Sequence, residues 1–166
     1  VVIRDFEWSV DKNEGVWSVY LFFRQMRPAS PEQLSLWSEH RRSAYKGSMR
    51  HFLWALVHRR VFEEGFEMRV GRWTDSRMWR LIGEDSIHLE LFPGTHLLEW
   101  TYRGMIRVDY NPQVYPPSFV RLADEFSLVD SSGVVVTPLA YELGGKWAWE
   151  SMGRLLPCDY SPEDIR

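Results

Sequence analysis

The sequence predicts an α+β domain: a largely antiparallel β-sheet with a helix pair inserted near the start and a helix at the C-terminal end. Three observations carry this. Met49, Phe52, Leu53, Leu56, Val57 and Arg60 form one stripe at helical spacing. Beyond Gly65 the period drops to two, with Ile87, Leu89 and Leu91 alternating with His88 and Glu90. Tight turn signals, such as Asp130-Ser131-Ser132-Gly133, join neighbouring strand-like segments and leave no room for long crossovers.

In chain order, residues 1–8 and 15–25 read as two strands around Asp11-Lys12-Asn13-Glu14-Gly15, the second rich in β-branched and aromatic residues. Ser30-Pro31-Glu32-Gln33 is a helix start, with Ser as cap, Pro in the first turn and Gln in the capping-box position. That helix is expected to run to about Ser43 with Leu34, Trp37 and Arg41 on one side. Gly47-Ser48 breaks it, and Ser48 can cap a second helix reaching Glu64, which Gly65 closes in a left-handed conformation. Strands follow around 87–91 and 97–102. Gly104 is expected to mark a bulge before Ile106, Val108 and Tyr110. Two further strands, at about 119–129 and 134–142, flank the 130–133 turn. After Gly144-Gly145 a last helix is expected to put Trp149, Met152 and Leu156 on one face, and Pro157 stops it.

The composition narrows the classes of function. Of 166 residues 45% are hydrophobic and 26% charged, which is ordinary globular material. The formal net charge of −3 gives no broad attraction to nucleic acid or anionic lipid, so no nucleic-acid partner is expected. No apolar run approaches the ~18 residues of a membrane helix. Nine Trp, seven Tyr and nine Phe can build a large core. Three of the 20 basic residues are lysine (Lys12, Lys46, Lys146) and the rest are arginine, which suits stacking and bidentate pairing. The single Cys158 allows neither an internal disulfide nor a cysteine metal cage. No repeat or linker interrupts 1–166, so a single domain is expected. The chain opens inside a strand, which predicts a fragment of a longer protein.

Three blocks stand out together. The first is Trp37-x-x-x-Arg41-x-x-Ala44-Tyr45-Lys46-Gly47-Ser48-x-x-His51-Phe52-Leu53 with Glu64-Gly65-Phe66. The second is Tyr102-Arg103-Gly104 with Val108 and Tyr110. The third is Gly133-Val134, then Gly145-Lys146-Trp147-Ala148-Trp149-Glu150 and Leu155-Leu156-Pro157-Cys158-Asp159-Tyr160. In this order they resemble the C-terminal domain of the carboxypeptidase-like regulatory domain-containing envelope proteins of Gram-negative, Bacteroidetes-type bacteria. The resemblance spans roughly residues 15–160. It implies an upstream transthyretin-like β-sandwich outside this chain and a periplasmic or outer-membrane-associated location. The family name implies no peptidase activity, because the accessory sandwich carries no catalytic residues. The resemblance thus implies a non-catalytic accessory domain whose partner is an envelope protein or a neighbouring domain of the same chain.

Several chemistries have candidate residues. His96-Leu97-Leu98-Glu99 matches the short ligand pair of zinc carboxypeptidases. No histidine comes after it to complete the set, and on a strand its two ends point to opposite faces. A looser divalent-metal site can be drawn from His88, Glu90 and Glu99; the plainer reading is an ionic pairing on a wet sheet face. No cofactor is expected, for the chain has no nucleophile elbow, P-loop or dinucleotide fingerprint. Around Arg41 to His51, the side chains of Tyr45, Lys46, Ser48, Arg50 and His51 surround a helix N-terminus, a candidate anion site. The structural alternative has Arg41, Tyr45 and His51 converging beneath the junction and meeting Glu150 or Asp159. Trp73 and Trp79, in a polar stretch, are the candidates for a glycan platform. Trp37, Trp54, Trp147 and Trp149 are expected to pack inward.

Overall fold

The computed structural model describes residues 2–11, 14–20, 23–24, 26–71, 79–150 and 155–160. The chain divides into two compact units, Val1–Leu36 and Trp37–Arg166. In the first, β1 (Val2–Ser9) and β2 (Glu14–Tyr20) form an antiparallel hairpin. The register runs from Val2 opposite Tyr20 to Ser9 opposite Glu14, with an irregularity between Ile3 and Asp5.

Helix α1 (Pro31–Tyr45) begins where the capping signal placed it. The Gln33 N–H donates to Ser30 Oγ at 3.3 Å. The Gln33 side chain accepts from the Ala29 N–H at 2.6 Å, one residue earlier than in the standard capping box. Trp37, Arg41 and Ala44 are half-buried and Tyr45 buried, a stripe at 3-4 spacing, whereas Leu34 and Leu36 are exposed.

Helix α2 (Met49–Val57) is shorter than the sequence predicts. Arg59 takes a left-handed φ of 55°. Its N–H bonds to Leu56 O and the N–H of Arg60 to Ala55 O, the two bonds of a Schellman cap. An arginine is an uncommon residue for that conformation, so the sequence carried no stop signal there. The Arg59 side chain is held by Glu84 O at 3.0 Å. A second closure of the same kind comes at once: Phe66 N–H to Val61 O and Gly65 N–H to Phe62 O, with Gly65 at φ 83° as expected. Residues 61–65 therefore form a separate turn that folds back instead of extending the helix.

The second unit contains two antiparallel sheets. One has five strands in the order β10-β8-β7-β3-β4, from β3 (Phe66–Val70), β4 (Arg80–Ile82), β7 (Met105–Tyr110), β8 (Ser118–Leu122) and β10 (Tyr141–Gly145). The other has three in the order β5-β6-β9, from β5 (His88–Leu91), β6 (Leu98–Thr101) and β9 (Ser127–Val129). No helix of the described residues is long and apolar enough to cross a membrane. The α+β class and its mainly antiparallel sheet are thus as the sequence predicts.

The sheets differ from the prediction in one instructive way. Segments read as continuous strands are bent where the chain passes from one sheet to the other. Gly104 (φ 110°) is a corner where the chain leaves β6 for β7 and changes sheet. The strand expected over 119–129 breaks at 123–126 into β8 and β9, and its partner breaks likewise before β10. Val136 N–H to Leu128 O and Ala123 N–H to Ala140 O keep the two arms of this hairpin paired across the bend. Alternation of apolar residues runs through such a corner unchanged, so periodicity alone does not reveal it. At the bend Tyr141 Oη accepts from Trp100 Nε1 at 3.0 Å and shares a 2.6 Å hydrogen bond with Ser127 Oγ.

The expected C-terminal helix is a single 3₁₀ turn, Lys146–Trp149, among the described residues. Met152 lies outside them. Gly145 (φ 63°) delivers the chain sharply, so Trp147 points into the core while Trp149 is 90% exposed rather than packed inward. Helix α2 lies at the centre of the core. Phe52, Leu53 and Leu56 pack with Phe66, Met68, Ile106, Val108, Val120 and Trp147 in one buried cluster.

Candidate functional site: the helix junction and its clamp

The junction between α1 and α2 turns on Gly47, whose φ of 71° ends the first helix. A Cβ there would run into the ring of Tyr110, so no other residue fits. The Gly47 N–H donates to His51 Nδ1 at 3.1 Å. Its carbonyl accepts from Trp147 Nε1 at 2.9 Å and from Lys146 Nζ at 3.3 Å. Ser48 caps α2 as expected, its Oγ accepting from the His51 N–H at 3.2 Å.

His51 is 4% exposed. Its ring lies among Tyr45, Phe66 and Tyr110, at centroid distances of 4.9, 4.8 and 5.6 Å. Because Nδ1 accepts from a backbone N–H, the proton of the neutral ring is assigned to Nε2, which faces Glu64 Oε2 at 3.3 Å. Burial lowers the pKa of His51, and the hydrogen bond to Glu64 opposes this only in part. A general base needs a free lone pair within reach of substrate. Here both ring nitrogens are engaged inside the protein, so the histidine pins two segments together. Glu64 Oε1 also takes Arg60 Nη2 at 3.2 Å. Tyr45 is 1% exposed, and burial raises the pKa of its phenol. Its hydroxyl has no hydrogen-bond partner among the described residues.

The sequence expectation for this cluster is half met. Tyr45 and His51 converge, but Arg41 makes no ion pair with Glu150 or Asp159 among the described residues, and the acid beneath His51 is Glu64. The early stop of α2 explains the difference. On a continuous helix Glu64 would lie thirteen residues from His51, about 20 Å away at 1.5 Å per residue. The turn at 61–65 brings it back. Glu150 instead lies 3.9 Å from Lys146.

Arg50 is the residue that engages the C-terminal block, through backbone carbonyls. Nη1 donates to Pro157 O at 2.5 Å, and Nη2 donates to Cys158 O and Tyr160 O, each at 2.7 Å. Nε reaches Ser132 O at 3.4 Å. The 130–133 turn can come this close because Gly133 (φ 78°) lies flat on α2: a Cβ would stand 2.6 Å from Arg50 O and Trp54 N. Between clamp and helix is a mostly apolar cavity of about 180 Å³, lined in part by Met49, Leu53, Val134, Val135 and Leu156. Ser48 and Arg50 of the candidate anion site are therefore committed to the fold, while Lys46 is exposed.

The other candidates separate. Trp79 is half-buried with its ring 5.7 Å from that of Phe119, and Trp73 lies outside the described residues. His88 Nε2 and Glu90 Oε1 are 3.5 Å apart and exposed, and Glu99 stands directly opposite Glu90 in the register. Among the described residues no three His, Cys, Asp or Glu side chains are grouped to hold a metal ion. Sequence reasoning passed over the first unit, where Phe6, Trp8 and Val10 are 66%, 52% and 80% exposed. Their i, i+2, i+4 spacing was the signal available. No family model, curated protein or solved structure matches the chain.

Proposed function

We propose that this chain is a non-catalytic interaction domain of an exported envelope protein, working through protein–protein or domain–domain contacts made by its N-terminal hairpin. The observation that carries the reading is the exposure of Phe6 and Trp8 at alternate positions of β1 and of Val10 in the turn that follows it. Phe6 and Trp8 point to one face of β1, and the Trp8 ring lies over Gly15 on the paired strand. Aromatic residues are enriched where proteins meet, and a hairpin of two strands is marginal in water without further packing. The periplasmic or outer-membrane-associated setting rests on the resemblance of the three sequence blocks. The engagement of His51 and Arg50 within the fold favours this reading over anion binding at the junction.

Site-specific photo-crosslinking tests it. A benzophenone side chain at position 8, in cells that make the protein, is expected to give a discrete cross-linked species. The same group at position 90, on an exposed strand of the second unit, is expected to give none. Equal patterns from the two positions would overturn the proposal.

A further inference from the structure

The two strands of the hairpin treat their outer edges differently, and the difference selects a partner. An edge strand exposes unpaired N–H and C=O groups, and proteins guard such edges with charges, bulges or short length. The second unit follows this practice. Its edge strands β4, β5 and β10 have three, four and five residues and carry Arg80, His88 with Glu90, and Glu142, and the uncharged edge strand β9 has three residues and is bridged to Val135. Strand β1 is guarded as well: its sequence includes Arg4, Asp5 and Glu7, and its register shifts between Ile3 and Asp5.

Strand β2 carries one charge, Glu14 at its first position, and none beyond it. It is seven residues long and every residue from Glu14 to Tyr20 has a partner in β1, the residue skipped at the irregularity lying on β1. From Gly15 to Phe23 the sequence has neither a charge nor a proline, and it is dominated by β-branched and aromatic residues. Such a segment at an open edge pairs with another strand. Among the described residues, β2 pairs on one side only, with β1.

We propose that the free edge of β2 pairs antiparallel with β2 of a second copy of this chain, making a four-stranded sheet β1-β2-β2-β1 about a two-fold axis. Charge favours this occupant. Centred on Trp17, the self-pairing sets Glu14 of one copy opposite Tyr20 of the other. The two Glu14 positions then lie at opposite ends, six residues or about 20 Å apart. Pairing through β1 centred on Phe6 would instead set Asp5 opposite Glu7, two like charges. A two-fold interface is self-complementary, and four strands exceed the three that a sheet needs for independent stability. The inference rests on the hairpin being the contact element.

Sedimentation equilibrium of the intact chain from low micromolar to several hundred micromolar tests it. The expected result is a monomer–dimer equilibrium that Ser18→Lys weakens at least tenfold, because the paired strands bring the two lysines into diagonal reach on one face. Glu7→Gln, on the guarded strand, is expected to leave the equilibrium unchanged. Amide hydrogen exchange of the unsubstituted chain gives a second reading: residues 16–20 gain protection as concentration rises. A monomer throughout the range, or a dimer indifferent to Ser18→Lys, overturns the self-pairing. If the chain is monomeric while position 8 still yields a discrete cross-link to another protein, the self-pairing fails and the interaction reading stands. If position 8 cross-links nothing as well, both fail.

Discussion

The hairpin and the helix junction use the same kinds of residue to opposite ends. At the junction, Tyr45, His51, Phe66 and Tyr110 turn their rings toward one another, and backbone and side-chain partners occupy both nitrogens of the histidine. On the hairpin, Phe6 and Trp8 stand in solvent. A closed aromatic cluster stabilises what it encloses, whereas an open one has free energy still to gain from a partner. Stability and association should therefore respond to different substitutions.

The largest effect is expected in the core beneath the junction. Leu56 is 1% exposed, and Leu56→Ala should lower unfolding stability by roughly 2–5 kcal/mol in denaturant titration. A loss below about 0.5 kcal/mol would show that this helix does not organise the core. Next comes the clamp. Arg50→Met keeps the bulk of the side chain but removes its donors to four carbonyls, at a cost of about 2 kcal/mol. Hydrogen exchange should accelerate at residues 155–160 ahead of the β-sheet. Uniform acceleration would mean that the clamp is part of the global fold.

A smaller effect is expected from pH. The pKa of His51 in the folded chain lies below the ordinary histidine value of 6.5, chiefly because the ring is buried. Above 6.5 the ring is neutral in both states and the contribution is complete. As pH falls below 6.5 the unfolded chain takes the proton first, so stability declines until the folded pKa is reached. Protonation in the folded state would also set an N–H on Nδ1 against the N–H of Gly47. His51→Gln, whose amide can both accept from Gly47 and donate to Glu64, should flatten the dependence of melting temperature on pH between about 7 and 5. An unchanged slope would assign the dependence to other groups.

The smallest effect on stability is expected at the hairpin. Trp8→Ser should move the unfolding of the second unit by less than about 0.5 kcal/mol while removing the contact made by the strand face. A large loss of stability there would erase the contrast between the two regions.

Much of the fold was legible because its signals are local. Ser30 and Ser48 announced their helix starts through side chains that bond within three residues, and Gly65 announced a left-handed closure. That His88, Glu90 and Glu99 belong to one strand pair came from strand parity and a short turn, while the register that sets Glu99 opposite Glu90 came from the structure. The Schellman cap at Arg59 was hidden, since what holds it includes the carbonyl of Glu84, twenty-five residues away. With it went the return of Glu64 to His51. Trp149 was misplaced because a helical pattern over 146–156 is indistinguishable on paper from a 3₁₀ turn leaving a glycine.

The sequence by itself determined the α+β class, the helix starts and the burial of Phe52, Leu53 and Leu56. Those depend on spacing, capping and hydrophobicity within a few residues. Tertiary structure decided where α2 stops, where continuous strands bend into two sheets, and which acid lies beneath His51. Each of these is set by a group distant in the chain, because a buried polar atom takes whichever partner the fold brings within about 3 Å.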